Sequence, residues 1–418
     1  MKSPGFAVLA FVVTLLVSVL ARPAGAQLFG VELHNTAMPA SGGMAGTSVA
    51  RPQDLTSAIN GNPATLTQFQ GTQFTFSGAW VEPTFNLQHD GGVLPRIDPF
   101  SAKSEAQGLP NINIGVTQDF SALGLPTTVG LGFFTAAAAG VDYNDVPASN
   151  GTSAALVAFE VTPAISVDLT DRISMGAALS LGIGIFDGPF VGLTALRYDY
   201  ALRGSFGLDY DLTPETTLGV YYQTKQGFTF DDAIRLEIAP NIFDPIIRDI
   251  KIELPANIGF GVANNSLMDG RLLLAVDLLY KFWESADLFG AIYDNQFVFQ
   301  AGAQFTSGRV RYRLGYAYAE NPIRDIPAVT VGGVPLPGPA AANYVQAQLA
   351  VTNLHRLSMG MGIQDLLPGI DLDIAAGGMP KSSQDLGNLT RTALTTYWIS
   401  LGITWRYGRG ACEHGEWN

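Results

Sequence analysis

The sequence predicts an all-β protein: a transmembrane antiparallel β-barrel of about fourteen strands, its lumen plugged by the chain's own N-terminal segment. Three observations predict it. Charged residues make up only 14% of the 418-residue chain and hydrophobic ones 47%, where a soluble domain carries roughly 25% charged residues. From about residue 72 onward, apolar residues alternate with small or polar ones, the period-2 signal of strands between two environments. The links between these segments alternate in length, short then long, which a soluble sandwich has no reason to do and a membrane barrel has.

Other classes fall away on composition. No uninterrupted apolar run outside the N-terminus exceeds about a dozen residues, and a spanning helix needs about 20. Aromatic and branched aliphatic residues are too abundant for disorder. The formal net charge of −13 makes nucleic acid an unsuitable partner. At the N-terminus, Lys2 precedes an apolar stretch from Phe6 to Leu20 and then Ala24-Gly25-Ala26, the order of a secretory signal peptide spanning 1–26. The single cysteine, Cys412, provides no disulfide framework, so stability must come from a core or a closed hydrogen-bonded barrel.

Taken in order, the strand centres fall near residues 79, 115, 132, 161, 179, 202, 221, 258, 277, 299, 314, 359, 374 and 401. The fifth puts Ile173, Met175, Ala177, Leu179, Leu181, Ile183 and Ile185 on one face, with Ser174, Gly176, Ala178, Ser180, Gly182 and Gly184 on the other. The fourth sets Val157, Phe159, Val161, Ile165 and Val167 against Glu160, Thr162, Ser166 and Asp168. The last carries Tyr397, Ile399, Leu401, Ile403, Trp405 and Tyr407 on one side, an aliphatic stripe with aromatic ends, as in the girdles of outer-membrane barrels. Short links follow the even-numbered strands: Ser121–Pro126, Thr170-Asp171, Leu212–Thr216, Ser266–Gly270, Ser307-Gly308 and Gln364–Gly369. Longer ones follow strands one, three, seven, eleven and thirteen, with intermediate links after five and nine. The barrel proper is expected over 71–408, with a periplasmic tail at 409–418.

Residues 27–70 are not strand-like and are too few to form a core of their own. A barrel of about fourteen strands has a lumen that side chains alone do not fill, so this segment is expected to be its plug. A periplasmic extension or a disordered leader is the alternative on composition. Within it, Ser41-Gly42-Gly43-Met44-Ala45-Gly46, then Asp54, then Asn62-Pro63-Ala64 before Leu66 resemble the N-terminal hatch of the FadL family, outer-membrane transporters of long-chain fatty acids and other hydrophobic compounds. Val161-Thr162-Pro163-Ala164 through Asp171-Arg172-Ile173-Ser174-Met175-Gly176 resembles that family's Pro-containing strand, tight turn and next strand. Tyr210 to Gly219, Leu254-Pro255, the strand ending at Trp283, and Arg313 to Tyr318 before Asn321-Pro322 extend the resemblance over most of the chain. Two departures stand out: Tyr407 is followed by a tail rather than by the chain end, and the loop after strand five, around Asp187–Thr194, is short.

No catalytic constellation is visible. His34, His89, His355 and His414 are scattered without metal-ligand spacing, and no phosphate-binding glycine loop or Gly-x-Ser-x-Gly elbow occurs. No enzyme, metal or cofactor is expected. The resemblance implies instead an extracellular apolar groove, an internal pocket, a hatch that moves, and lateral release into the bilayer at a kink in the third strand. Candidates follow by type. Ile238, Ile242, Phe243, Ile246 and Ile247 would form the capture loop, or else pack the loop on itself; Gly130 and Gly132 would permit the kink. Asn62, Pro63 and Ala64 mark the hatch. A carboxylate cargo would need an inward cation. Alternation turns Arg309, Arg311, Arg313, Lys225, Lys281, Arg197 and Arg203 inward, either to receive cargo or to balance Asp199, Asp209 and Asp277; of these Arg313 lies in the family-like motif. The cargo is then a long-chain fatty acid or a neutral aromatic hydrocarbon, or the barrel is a structural or adhesive one with an immobile plug. The expected partners are the hydrophobic solute, outer-membrane lipid and lipopolysaccharide, and the barrel-assembly machinery, around a monomer.

Overall fold

The computed structural model describes residues 31–91, 97–188, 196–236, 246–327, 330–331, 334–335, 337–350 and 354–407; the signal segment 1–26 and the tail 409–418 lie outside them. Fourteen antiparallel strands close into a ring. They are β1 (Thr72–His89), β2 (Leu109–Asp119), β3 (Thr127–Asp142), β4 (Ser153–Thr170), β5 (Ile173–Asp187), β6 (Arg197–Thr213) and β7 (Thr216–Gln223). The ring continues through β8 (Asn257–Leu267), β9 (Leu272–Lys281), β10 (Gln296–Ser307), β11 (Val310–Ala319), β12 (His355–Leu367), β13 (Ile370–Leu386) and β14 (Thr390–Tyr407). β14 returns to β1 in unbroken register from Thr72↔Tyr407 to His89↔Thr390, so no sheet edge is left at the seam. None of the described helices is long and apolar enough to cross a membrane.

The alternation predicted from the sequence sets the two faces. On β5, Met175, Leu179 and Leu181 are exposed on the outside, and on β14 Tyr397, Ile399 and Leu401 are too. The inward face carries Thr162, Ser166, Ser180 and Ser400, all buried. Short turns connect the even strands to their successors. At the other end the links carry added structure: a strand Phe100–Lys103 on β1, a hairpin Gln226–Leu236/Ile246–Leu254, and a helix Pro337–Gln348. One expected long loop is absent. β13 and β14 are joined by Gly387–Leu389, because both strands run on as a hairpin that pairs up to Leu386↔Thr390.

Residues 31 to 70 fill the lumen of the short-turn half, and their backbone is held by inward side chains of the wall. The Ser48 and Val49 amides donate to Asp277 Oδ2 at 2.6 and 3.0 Å. Gln300 Nε2 donates to the Ala45 carbonyl at 2.6 Å, the Ala45 amide donates to Ser358 Oγ at 2.9 Å, and Ser166 Oγ donates to the Ala64 carbonyl at 2.7 Å. Such close backbone approach needs wall positions without a side chain. A Cβ at Gly176 would stand 2.3 Å from the Pro63 carbonyl carbon, and one at Gly219 2.2 Å from Val49 O. Inside the plug Asp54 organises the turn, accepting from the Ala40 and Ser41 amides at 3.1 and 2.7 Å and from Ser57 Oγ at 3.0 Å.

These contacts predict that Gly219→Val yields a closed barrel whose plug is displaced. Limited proteolysis should then cut between residues 31 and 70 in the variant at a protease level that spares the parent, while the strands stay resistant. Equal resistance in both proteins would show that the plug does not depend on this contact.

Candidate functional site

The barrel wall parts between β2 and β3. Their pairing runs from Asp119↔Thr128 to Asn113↔Phe134 and ends there, although β2 continues to Leu109, still paired with β1, and β3 continues to Asp142. At the same level β3 is bulged, with a register shift against β4 between Thr135 and Ala137. A bulge bends its strand and sharpens the local twist, and here it swings the upper half of β3 from its neighbour. The run Thr135 to Gly140 consists of small residues that are buried on both faces, so the two-environment alternation is lost there.

The edge of β3 thus released is taken by the N-terminal segment. Glu32 pairs with Ala137; the Leu33 amide donates to the Ala136 carbonyl at 3.0 Å, and the Ala138 amide to the Val31 carbonyl at 2.9 Å. Glu32 then points into the lumen and is 4% exposed. It accepts from Arg203 Nη2 at 2.8 Å, from Asn257 Nδ2 at 3.2 Å and from Lys281 Nζ. Arg203 also donates to the carbonyls of Thr224 and Pro255 and lies 3.8 Å from Glu160. Burial alone would raise the Glu32 pKa, but Lys281 and Arg203 outweigh it and hold the carboxyl at about 2. His34, at φ +48° and hydrogen-bonded to Tyr221 Oη at 3.1 Å, has its pKa brought down to about 3, first by burial and then by Lys281, and stays neutral.

Above this charged floor the lumen becomes apolar. Val31, Phe85, Val141, Phe186, Phe228 and Trp283 belong to one continuous buried cluster drawn from the strands, the hairpin and the long links. Trp283 meets Phe289 and Tyr293 edge-on at 4.9 and 5.3 Å. The arrangement is a buried apolar cluster on a polar, ion-paired base, and the docked Val31–Leu33 lies at the junction of the two beside the parted wall.

The structure distributes the predicted site residues over several places. Arg203 and Lys281 converge on Glu32. Arg313 is engaged by Asp373 at 2.5 Å and Gln304 at 2.7 Å, against Gly43 of the plug. Arg311 lines a polar cavity of about 370 Å³ with Asp371, Asp373 and Arg406 at the short-turn mouth. Lys225 follows β7, bonded to Glu253 at 3.3 Å and to the Ser285 carbonyl. Asn62 accepts from the Ala64 amide at 3.1 Å, donates to Val49 O at 2.7 Å and reaches the β6 carbonyl of Leu208 at 3.2 Å, with Pro63 and Ala64 seated on Gly176. Gly130 and Gly132 pair regularly with β2 and β4, Gly130 facing Ile59 and Leu66 of the plug and Gly132 facing the Phe134 ring; the irregularity lies at Thr135–Ala137. Ile238, Ile242 and Phe243 are outside the described residues, and Ile246 and Ile247 begin the returning strand of the hairpin. Among the described residues no group of carboxylates, histidines or cysteines is placed to hold a metal.

Two residues that matter here were not among the sequence candidates. Glu32 is the only carboxylate between Gln27 and Gln53, a signal visible in the sequence, but its partners are 171 and 249 positions away. Ala136 was hidden because the sequence marks its run only by the loss of alternation.

Glu32→Gln should loosen the N-terminal segment, since it leaves Arg203 and Lys281 facing each other without their carboxylate; removal of one partner from a buried ion pair costs about 3–5 kcal/mol. Hydrogen exchange at the Leu33 and Ala138 amides is expected to speed up in the variant, with the β14–β1 seam unchanged. In the parent, the depressed Glu32 pKa means that this anchoring is complete above about pH 4.5 and fades as the pH falls toward 2. Unaltered exchange at those two amides would show that the ion cluster does not hold the segment.

No protein-family model and no curated protein sequence matches the chain. Solved structures match its fold. The Pseudomonas putida toluene transporter TodX superposes with a TM-score of 0.66 at 15% identity, over 92% of this chain and 99% of that one. A Pseudomonas aeruginosa FadL homologue gives 0.67 at 14% identity, over 92% and 100%. The Ralstonia pickettii toluene transporter TbuX gives 0.59 at 15% identity, over 92% and 99%. The chain therefore has the fold of the FadL-type transporters.

Proposed function

We propose that this chain is an outer-membrane barrel through which hydrophobic small molecules pass by diffusion, leaving sideways into the bilayer. The observation that carries the reading is the parted wall: the backbone pairing of β2 with β3 stops at Asn113, Asn111 and Ile112 reach β3 through Thr135, and the β3 edge at Ala136–Ala138 is covered by Val31–Leu33, a piece of the plug and not of the barrel. A segment held by two backbone hydrogen bonds and one carboxylate is an element that can leave. The apolar cluster above offers the surface such a cargo would need, and the toluene transporters with this fold support the same class of cargo. Export by the 1–26 signal peptide, lipopolysaccharide around the long-loop end, assembly by the barrel-insertion machinery and a monomeric state belong to this proposal.

Between the two cargoes, a neutral hydrocarbon is favoured over a long-chain fatty acid. Of the cations predicted to meet cargo, Arg203 and Lys281 are paired with Glu32 and Lys225 with Glu253, while Arg313 and Arg311 lie at the plug and below it. A carboxylate entering the apolar cluster would have to compete for a cation or remain charged in apolar surroundings.

The test is a lock. In Val31→Cys/Ala138→Cys the two residues face each other across a hydrogen-bonded antiparallel pair, whose Cα spacing of about 5.5 Å accommodates a disulfide. Oxidised, the double variant should abolish uptake of labelled toluene by cells carrying no other such channel, and reduction should restore it. Uptake that is indifferent to the lock would leave a structural barrel with an immobile plug as the better reading. Labelled oleate taken up in place of toluene would reverse the cargo preference.

A further inference from the structure

A group of polar side chains stands at the long-loop end of the apolar cluster. His89 ends β1, Tyr143 follows β3, Thr152 precedes β4, Tyr344 lies on the helix Pro337–Gln348 and Thr390 begins β14. The Tyr344 hydroxyl is hydrogen-bonded to Thr152 Oγ1 at 2.7 Å, and the Thr152 carbonyl receives the Tyr143 amide at 2.9 Å. The His89 ring meets Tyr344 edge-on at 4.9 Å and is oriented by Thr390, whose Oγ1 is 3.0 Å from Nδ1. Phe100, opposite His89 across the strand pair, has its ring 6.0 Å from that of Tyr143, which brings Tyr143 to the same place. Among the described residues, the other nitrogen of His89, Nε2, and the hydroxyl of Tyr143 have no hydrogen-bond partner, and these two residues are 1% and 0% exposed.

Buried imidazole and phenol groups ordinarily find a partner, because leaving one unmade forfeits its interaction with water for nothing. The neighbours that would be expected to serve are already committed: Thr390 to Nδ1, and Thr152 to Tyr344. Nε2 donates or accepts according to the tautomer, and a phenol oxygen does both. A single hydroxyl on a cargo molecule, itself one donor and one acceptor, has the capacity to satisfy both. A carboxylate would bring a charge into apolar surroundings, and a pure hydrocarbon would leave both atoms as they are. We propose that His89 and Tyr143 form a hydroxyl-recognition subsite, and that the preferred cargo is a hydrophobic molecule carrying one hydroxyl, such as a phenol or a long-chain alcohol. This deepens the transport reading and rests on it.

The test uses p-cresol and p-xylene, which share shape and differ by a hydroxyl in place of a methyl. Binding is measured to the purified full-length barrel in nanodiscs, with empty nanodiscs subtracting partition into lipid. Two variants remove the atoms singly: Tyr143→Phe deletes the hydroxyl, and His89→Asn keeps a polar atom toward Thr390 while deleting Nε2. The parent is expected to prefer p-cresol, and each variant to weaken p-cresol binding roughly five- to tenfold, the effect of one buried hydrogen bond. Binding of p-xylene should stay within about twofold, which also reports that the variants are folded. If both variants bind p-cresol as the parent does, or lose p-cresol and p-xylene alike, the subsite is refuted while transport of apolar molecules stands. If the parent binds neither molecule above empty nanodiscs, the transport reading itself falls.

Discussion

One buried carboxylate sets the geometry of the upper plug. Glu32 stands between Arg203 and Lys281 with Glu160 close by, so two cations and two anions are removed from water together. Desolvation of such a group is expensive, and it is stable only when every member is present. The N-terminal segment is therefore placed by charge as much as by backbone pairing. The released edge of β3 requires a strand to satisfy it, and the cations of β6 and β9 require a carboxylate. Glu32 meets both demands with one residue, its backbone on Ala137 and its side chain on Arg203 and Lys281.

From that placement the division of the lumen follows. Below Glu32 the plug is anchored by hydrogen bonds from inward polar residues, among them Asp277, Gln300 and Ser358, and by wall glycines that let its backbone approach. Above it, the inward residues of the same strands turn to Phe85, Val141, Leu156 and Phe186. The transition happens within single strands: β4 carries Ser166, Thr162 and Glu160 on its inner face in the lower half and Ala158, Leu156 and Ala154 higher up. One alternating pattern thus builds a polar socket and an apolar cluster, because only the inward set changes character along the strand while the outward set remains lipid-like.

This explains what was legible in the sequence. Period-2 alternation is a local property, and it located all fourteen strands and the inward orientation of Arg203, Lys281 and Arg313. Link parity was equally local and misled only at Gly387–Leu389, where two strands outrun the barrel and take up the length expected of a loop. What could not be read were facts of long-range pairing. That Arg203 and Lys281 would be drawn to the leader depends on contacts across 171 and 249 positions. The kink was sought at Gly130 and Gly132, since glycine weakens strands. Those two glycines make room for the plug and for Phe134, whereas the bulge sits in the run Thr135 to Gly140. The sequence does mark that run, because alternation ceases there, but loss of a pattern is a weaker sign than its presence.

The same division decides which way an apolar solute would move. Toward the plug it would meet backbone amides, Asp277, Gln300 and the Glu32 cluster, groups already paired with one another and offering no apolar surface in exchange for what the solute leaves. Each Å² of apolar surface moved from the apolar cluster into such surroundings loses about 25 cal/mol, so even a single aromatic ring resists that step by several times the thermal energy. At the parted wall the neighbours are Val31, Leu109, Ala136 and Ala138, and beyond them lies the outer face that carries Phe76 and Trp80. The parting also carries Asn111, Asn113 and Thr135, which are buried and hydrogen-bonded to one another. The barrier to sideways passage would then be the local cost of freeing two backbone hydrogen bonds to β3 and reseating Glu32 from Arg203 and Lys281. On the proposed route, flux and barrel stability would for that reason be separable: the closed β14–β1 seam holds the barrel, and the three residues at β3 would govern the opening.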